Sequence, residues 1–202
     1  NEVKENNVNI INTSSSPINI DFANVPEHIK LKCVPTVLQA GQTGQINITY
    51  DASKVDDWGF VINSVFLKQN GKVDYNQKLS VSVTIEEDYS KLSPEEREKA
   101  PIIVFESATF NFGSIKEGES VEHEFKFQNK GKRDLMIRKI KTSCGCTAIH
   151  PPKTLIAPGE SSSIKMVFNS KGKTGRQYKT ITVITNSVAN PTTVLKIIGT
   201  VN

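Results

Sequence analysis

Apolar residues recur at every second position in short runs along this chain: Val8 and Ile10, then Ile18, Ile20 and Phe22, then Ile29, Leu31 and Cys33, then Ile46, Ile48 and Tyr50. A period of two marks half-buried strands rather than helices. Val61 to Lys68 and Val73 to Ile85 are β-branched runs around Asn70-Gly71, a dipeptide that favours a two-residue hairpin turn. Further on, Val121, His123, Phe125 and Phe127 alternate with Glu122, Glu124, Lys126 and Gln128. Leu135 and Ile137, then Ile164, Met166 and Phe168, then Arg176 to Ile184 and Thr192 to Val201 complete the series. One stretch departs from it. Ser93-Pro94-Glu95-Glu96 places Ser at an N-cap, Pro at the first helical position and Glu at the third, which predicts a short helix stopped by Pro101.

The pattern is written twice. Pro35, Leu38 and Ala40 lie under Pro152, Leu155 and Ala157 at an offset of 117, and Ile46, Ile48 and Tyr50 lie under Ile164, Met166 and Phe168 at 118. Asn12, Ile18 and Ile20 match Asn129, Leu135 and Ile137 at 117, while Gly59, Val65, Leu67 and Asn70 match Gly175, Ile181, Val183 and Asn186 at 116. Such a period is too long for a solenoid and fits a whole sandwich domain of about 100 residues. The predicted fold is therefore all-β: two tandem immunoglobulin-like β-sandwich domains over residues 1–87 and 102–202, joined by a short helical linker at 88–101. The second should hold about seven strands in two antiparallel sheets. The first ten residues align with Gly118 to Phe127, so the first unit lacks a counterpart of Ile102 to Glu117. That strand is expected upstream of Asn1 in a longer natural chain.

Composition narrows the function classes. No apolar run approaches the roughly 18 residues of a membrane span, so no span is expected in this chain. Residues 1–100 carry 10 basic and 14 acidic side chains, net −4, whereas 101–202 carry 15 and 7, net +8. The basic half would feel an anion, and Lys130, Lys132, Arg133, Lys171, Lys173 and Arg176 are its candidate contacts. The competing account places these residues on turns and solvent faces, where Lys also guards sheet edges. Nucleic acid is not an expected partner, because interleaved aromatics and a recognisable reading module are both missing.

Reactive potential concentrates in Thr142-Ser-Cys144-Gly-Cys146-Thr. Two residues of strand rise separate the cysteine Cα atoms by roughly 6.6 Å, at the upper end of disulfide reach, and Gly145 allows a bend that shortens the gap. Three readings stand side by side: small packing residues at a strand turn, a Cys144–Cys146 disulfide, and a soft-metal site of Cys144, Cys146 and His150. Cys-x-Cys-x-x-x-His supplies three ligands and no spaced second pair, short of a structural zinc site. No nucleophile elbow or His-Glu-x-x-His occurs, and Gly172-Lys173-Thr174 has Val167 where a phosphate loop needs its first glycine. No catalytic residue and no cofactor is expected.

Phe112-Gly113-Ser-Ile115-x-x-Gly118, Phe127-x-Asn129-x-Gly131-x-x-x-Leu135-x-Ile137, Ser143-Cys-Gly-Cys-Thr147 and Ala157-Pro-Gly-Glu160 together resemble the bacterial domain-of-unknown-function family 1573, which is similar to the Hydin-type (ASH) immunoglobulin-like domains. The resemblance covers residues 102–202, and the first unit looks like a diverged copy without the Cys-Gly-Cys. It implies a seven-stranded sandwich, often in tandem, commonly exported, with no catalytic residues to carry over. The reading is a non-enzymatic binding or scaffolding protein of the bacterial envelope or exterior, with a protein or an anionic envelope or glycan partner. The alternative is a thiol-redox or copper-handling protein using Cys144 and Cys146.

Overall fold

The computed structural model describes residues 2–143, 146–149, 151 and 153–202. Nearly every ordered segment is a strand, and the chain divides into two compact units, Asn1–Glu86 and Glu87–Asn202.

The first unit contains β1 (Val3–Ile11), β2 (Ile18–Ala23), β3 (Ile29–Val34), β4 (Val37–Leu38), β5 (Thr43–Asp51), β6 (Gly59–Gln69) and β7 (Lys72–Ile85). They form one sheet in the order β1-β5-β3 and another in the order β4-β2-β6-β7, with antiparallel pairing throughout. The β6–β7 hairpin turns at Asn70 (φ 46°) and Gly71 (φ 83°), both left-handed as a type I′ turn requires. Alternation works as expected: Ile20, Cys33, Leu38 and Ile46 are buried between the sheets, and a separate cluster gathers Ile29, Tyr50 and Val81.

The second unit opens with α1 (Pro94–Glu98), whose capping box is complete: Ser93 Oγ accepts from Glu96 N at 3.2 Å and Ser93 N donates to Glu96 Oε2 at 2.9 Å. Its strands are β8 (Ile103–Phe105), β9 (Thr109–Ile115), β10 (Ser120–Asn129), β11 (Leu135–Thr142), β12 (Cys146–Ile149), β13 (Leu155–Ile156), β14 (Ser161–Asn169), β15 (Gly175–Thr185) and β16 (Thr192–Val201). The sheet orders are β12-β14-β10-β8 and β13-β11-β15-β16-β9. One continuous core fills the space between, centred on Phe125, Phe127, Ile164, Met166, Phe168 and Leu195. The segment before β8 belongs to this unit rather than standing apart as a spacer. Glu87 accepts from Arg138 Nη2 at 3.1 and 3.2 Å, Ala100 is buried, and Ile103 N donates to Ser187 Oγ at 3.4 Å.

Two details depart from the alternation-based reading. The first concerns pairing: β9 runs parallel to β16, not antiparallel, because the chain leaves β8 in one sheet and continues in the same direction at the edge of the other. The second concerns register. Ile18 pairs with Leu38 and Leu135 with Ile156, and Thr36 O accepts from Ile20 N as Thr154 O accepts from Ile137 N, each at 2.8 Å. The offset is already 118 at Thr36, so Leu38 corresponds to buried Ile156 and not to Leu155, which is exposed. A slip of one residue reverses the face of every side chain in a pleated strand, and only the structural register keeps both leucine-sized groups inside.

Candidate functional site

Cys146 opens β12 opposite Phe168 and packs, partly buried, against the core of the second unit. Its thiol is free, and burial pushes it above the ordinary thiol range against a weaker downward pull from Lys179. Thiolate is the reactive and metal-binding form, so this environment favours packing over chemistry. Cys144 and His150, the other members of the expected disulfide and metal set, lie outside the described residues. Cys33 is buried, with Sγ 3.3 Å from Pro35 O, and burial raises its thiol too. Among the described residues no group of three His, Cys, Asp or Glu side chains stands together as a metal site would need.

The six expected anion contacts do not form one site. β10 pairs with β14 so that Gln128 lies against Ser161 and Ser120 against Asn169. Lys130, Lys132 and Arg133 follow the Gln128 end, while Lys171, Lys173 and Arg176 follow the Asn169 end. The length of β10 between them is roughly 27 Å at the usual strand rise. Carboxylates interleave at both ends: Lys132 Nζ is 2.6 Å from Glu98 Oε1, and Glu117 Oε1 accepts from Gly172 N at 3.0 Å. A crevice of about 550 Å³ beside the first cluster is lined by Tyr89, Leu92, Pro101, Lys132, Arg133 and Asn186, among others. The Tyr89 hydroxyl there is pushed up to about 12, chiefly by burial and then by Glu87, which leaves it unable to trade protons near neutral pH.

Among the described residues, the outer edges of β1 and β7 carry no partner strand where β10 and β16 take up β8 and β9. Asn12 N donates to Gln42 O, Asn12 O accepts from Gly41 N, and Glu2 O accepts from Ala52 N. Even-numbered residues of β1 therefore face β5, and alternation turns the N–H and C=O groups of Val3, Glu5, Asn7, Asn9 and Ile11 outward. In the second unit the corresponding edge of β10 is occupied: β8 pairs with Phe127–Asn129, with Glu106 N donating to Lys126 O at 3.0 Å and Lys130 N to Ile102 O at 2.8 Å. Burial follows the difference. Val8 is 36% exposed, whereas Phe125 at the corresponding position is 1% exposed.

The two units also differ at the turn that follows these strands. A Cβ at Gly131 would collide with Ala100 O and sit 2.5 Å from Pro101 Cα, so the lead-in to β8 depends on that glycine. Ser14 stands at the matching place, and its N and Oγ bond to Asn12 Oδ1 at 3.0 and 2.8 Å. In the second unit Asn129 Oδ1 accepts from Gly131 N and Ile102 N instead. Alternation alone does not reveal an open edge. The signal for it was the missing counterpart of Ile102 to Glu117.

Comparison with known proteins bears mainly on the second unit. Residues 103–201 match the family described as Protein of unknown function (DUF1573). The DUF1573 match spans β8 to β16 and thus the whole second sandwich. A crystal structure of a protein of unknown function from Porphyromonas gingivalis W83 is similar with a TM-score of 0.69 at 19% identity, over 98% of this chain and 91% of that one. It establishes the fold across nearly the full length. The ASH/PapD-like domain 7 of human CEP192 is similar with a TM-score of 0.41 at 10% identity, over 59% of this chain and 96% of that one. The Pseudomonas aeruginosa CupB2 chaperone gives 0.30 at 9% identity, over 95% and 91%. None of the curated proteins matches.

Proposed function

We propose that this is a non-catalytic tandem β-sandwich protein, exported to the bacterial envelope or exterior, that binds or scaffolds polypeptide through the open strand edge of its first unit. The observation that carries the reading is that β1 and β7 end their sheets without a partner strand among the described residues, where β10 and β16 take up β8 and β9. Main-chain groups on such an edge can add an extended segment as a further strand.

Duplication of one unit accounts for the correspondence between the two edges. Removing β8 and β9 from the orders of the second unit leaves β12-β14-β10 and β13-β11-β15-β16, which match β3-β5-β1 and β4-β2-β6-β7. Asparagines repeat in the same roles. Asn12 Nδ2 donates to Ser16 O and Leu38 O, and Asn129 Nδ2 to Arg133 O and Ile156 O. Asn70 Oδ1 accepts from Asn19 N at 2.8 Å, and Asn186 Oδ1 from Met136 N at 2.7 Å.

Amide hydrogen exchange on the full chain tests the proposal. In the free protein the outward amides of β1 should exchange far faster than those facing β5, and an extended peptide carrying the sequence of residues 102–117 should slow them. Outward amides already protected in the free protein would mean the edge is covered, and the reading would fall. Cell fractionation tests export separately.

A further inference from the structure

We propose that the outer face of the sheet β13-β11-β15-β16-β9 binds an acidic polysaccharide, with Lys141, Lys196 and Arg176 on its carboxylates and Tyr178 against a sugar ring. This surface is separate from the β1 edge. Composition gives the starting point: β9, β11, β13, β15 and β16 contain no Asp or Glu, and every charged side chain on them is Lys or Arg. Register then sorts these by face. Lys141 lies opposite Thr182, Lys196 opposite Thr180 and Arg176 opposite Thr200, while the alternating Ile181, Val183, Leu195 and Ile197 are fully buried in the core. The three cations therefore share the outward face with the threonines. Each is exposed, and among the described residues none is ion-paired. Arg138 is held by Glu87, and Lys179 opposes Ile197 on the inner face, so neither adds to the row.

Two ordinary uses of surface lysine do not account for this row. Edge protection does not apply, because β11, β15 and β16 each have a strand on both sides. Solubility needs no single sign either: the other sheet of the unit carries Glu122, Glu124, Lys126 and Lys165, with Glu124 and Lys165 paired at 3.2 Å. The first unit serves as an internal control. In its sheet β4-β2-β6-β7, Asp21 pairs with Lys68 at 3.4 Å, and Phe60 and Ile62 stand where the second unit has Arg176 and Tyr178.

Spacing selects the kind of anion. Strand rise and strand separation put Lys141 roughly 12 Å from Lys196, and Lys196 roughly 14 Å from Arg176. A DNA strand carries a charge about every 3.4 Å, so most of its phosphates would lie opposite threonine or tyrosine. A bilayer surface would favour a tight basic cluster over cations set this far apart. A polysaccharide whose carboxylates are separated by neutral rings matches the row, because each gap offers groups that suit a sugar. Thr180 and Thr182 supply hydroxyls that donate and accept, and the ring of Tyr178, 59% exposed, lies between the level of Lys196 and Arg176.

The test measures binding of the full chain to hyaluronan, a polysaccharide with one carboxylate per disaccharide, by affinity electrophoresis at low salt. The unaltered chain should be retarded, and added salt should weaken the effect. Lys141→Gln, Lys196→Gln and Arg176→Gln combined should lower affinity at least about tenfold, since three exposed charge contacts are lost. The charge-matched control, Lys30→Gln, Lys126→Gln and Lys130→Gln, removes exposed lysines elsewhere and should change it by less than about twofold. Circular dichroism should report both variants folded, and if the triple variant is not, the three single substitutions should each weaken binding while the control does not. Tyr178→Ala should lower affinity without altering its dependence on salt. Absence of binding to hyaluronan, or equal losses in the triple variant and its control, overturns the inference. Tighter binding to phosphatidylglycerol vesicles or duplex DNA than to hyaluronan overturns the choice of polysaccharide and assigns the face to that anion. Exchange of the β1 amides should be the same with and without hyaluronan, so failure here leaves the edge-binding reading standing.

Discussion

Two buried side chains show how much a single residue carries here. Asn129 is fully buried, donates to two carbonyls and accepts from Gly131 N and Ile102 N. Asn129→Ala strands these groups without partners, each costing about 1–3 kcal/mol when left unsatisfied. A loss of about 3 kcal/mol is expected, read as a fall in the urea midpoint of the full chain. His123 makes a different case. Its ring stacks on Phe110 at 4.0 Å and meets Phe125 edge-on at 4.7 Å. Burial lowers its pKa below the ordinary 6.5, and Glu124, itself bonded to Lys165, opposes that only in part. The unfolded chain then binds the proton more readily than the folded one, so this contribution to stability is present above pH 6.5 and is lost as pH falls through the lowered value. Unfolding midpoints measured from about pH 7.5 down to about pH 5 should decline, and His123→Phe should flatten that decline. An unchanged slope in the variant would refute the assignment.

At the scale of elements, alternation made the strands legible because side-chain burial and strand pleat share a period of two. Ile164, Met166 and Phe168 are all fully buried, as their spacing implies, and Asn70-Gly71 turns the hairpin. What alternation does not encode is which way backbone groups point, which strand lies beside which, and where an offset changes. The register step before Thr36, the parallel partner of β9 and the separation of Lys130 from Lys171 all depend on long-range pairing. Gly131 and Ser14 test the account of the open edge at this scale. Gly131→Ala drives a methyl group into the Ala100–Ile102 backbone, and overpacking of this kind costs about 1–3 kcal/mol. Ala at position 14 merely trims a hydroxyl that bonds to Asn12 Oδ1 and Ser16 O, so a smaller change is expected. Equal effects of the two substitutions in matched urea titrations would mean that Gly131 does not admit the β8 lead-in by its lack of a side chain.

At the scale of the whole chain, the two units differ in how completely they are sealed, and their unfolding should separate accordingly. The second has one continuous core closed by β8 and β9, with Phe112 stacked on Phe168 at 5.3 Å. In the first, Tyr50 takes the place of Phe168, its hydroxyl is buried without a partner among the described residues, and the core is divided into two smaller clusters. Less apolar area removed from water means less stabilisation, at about 25 cal/mol per Å². The chain has a single tryptophan, Trp58, which lies in the first unit, so its fluorescence reports that unit alone. In urea the Trp58 transition should precede the main far-ultraviolet circular dichroism transition, to which both sandwiches contribute. Coincident transitions would show instead that the two units unfold as one body, with no weaker first step.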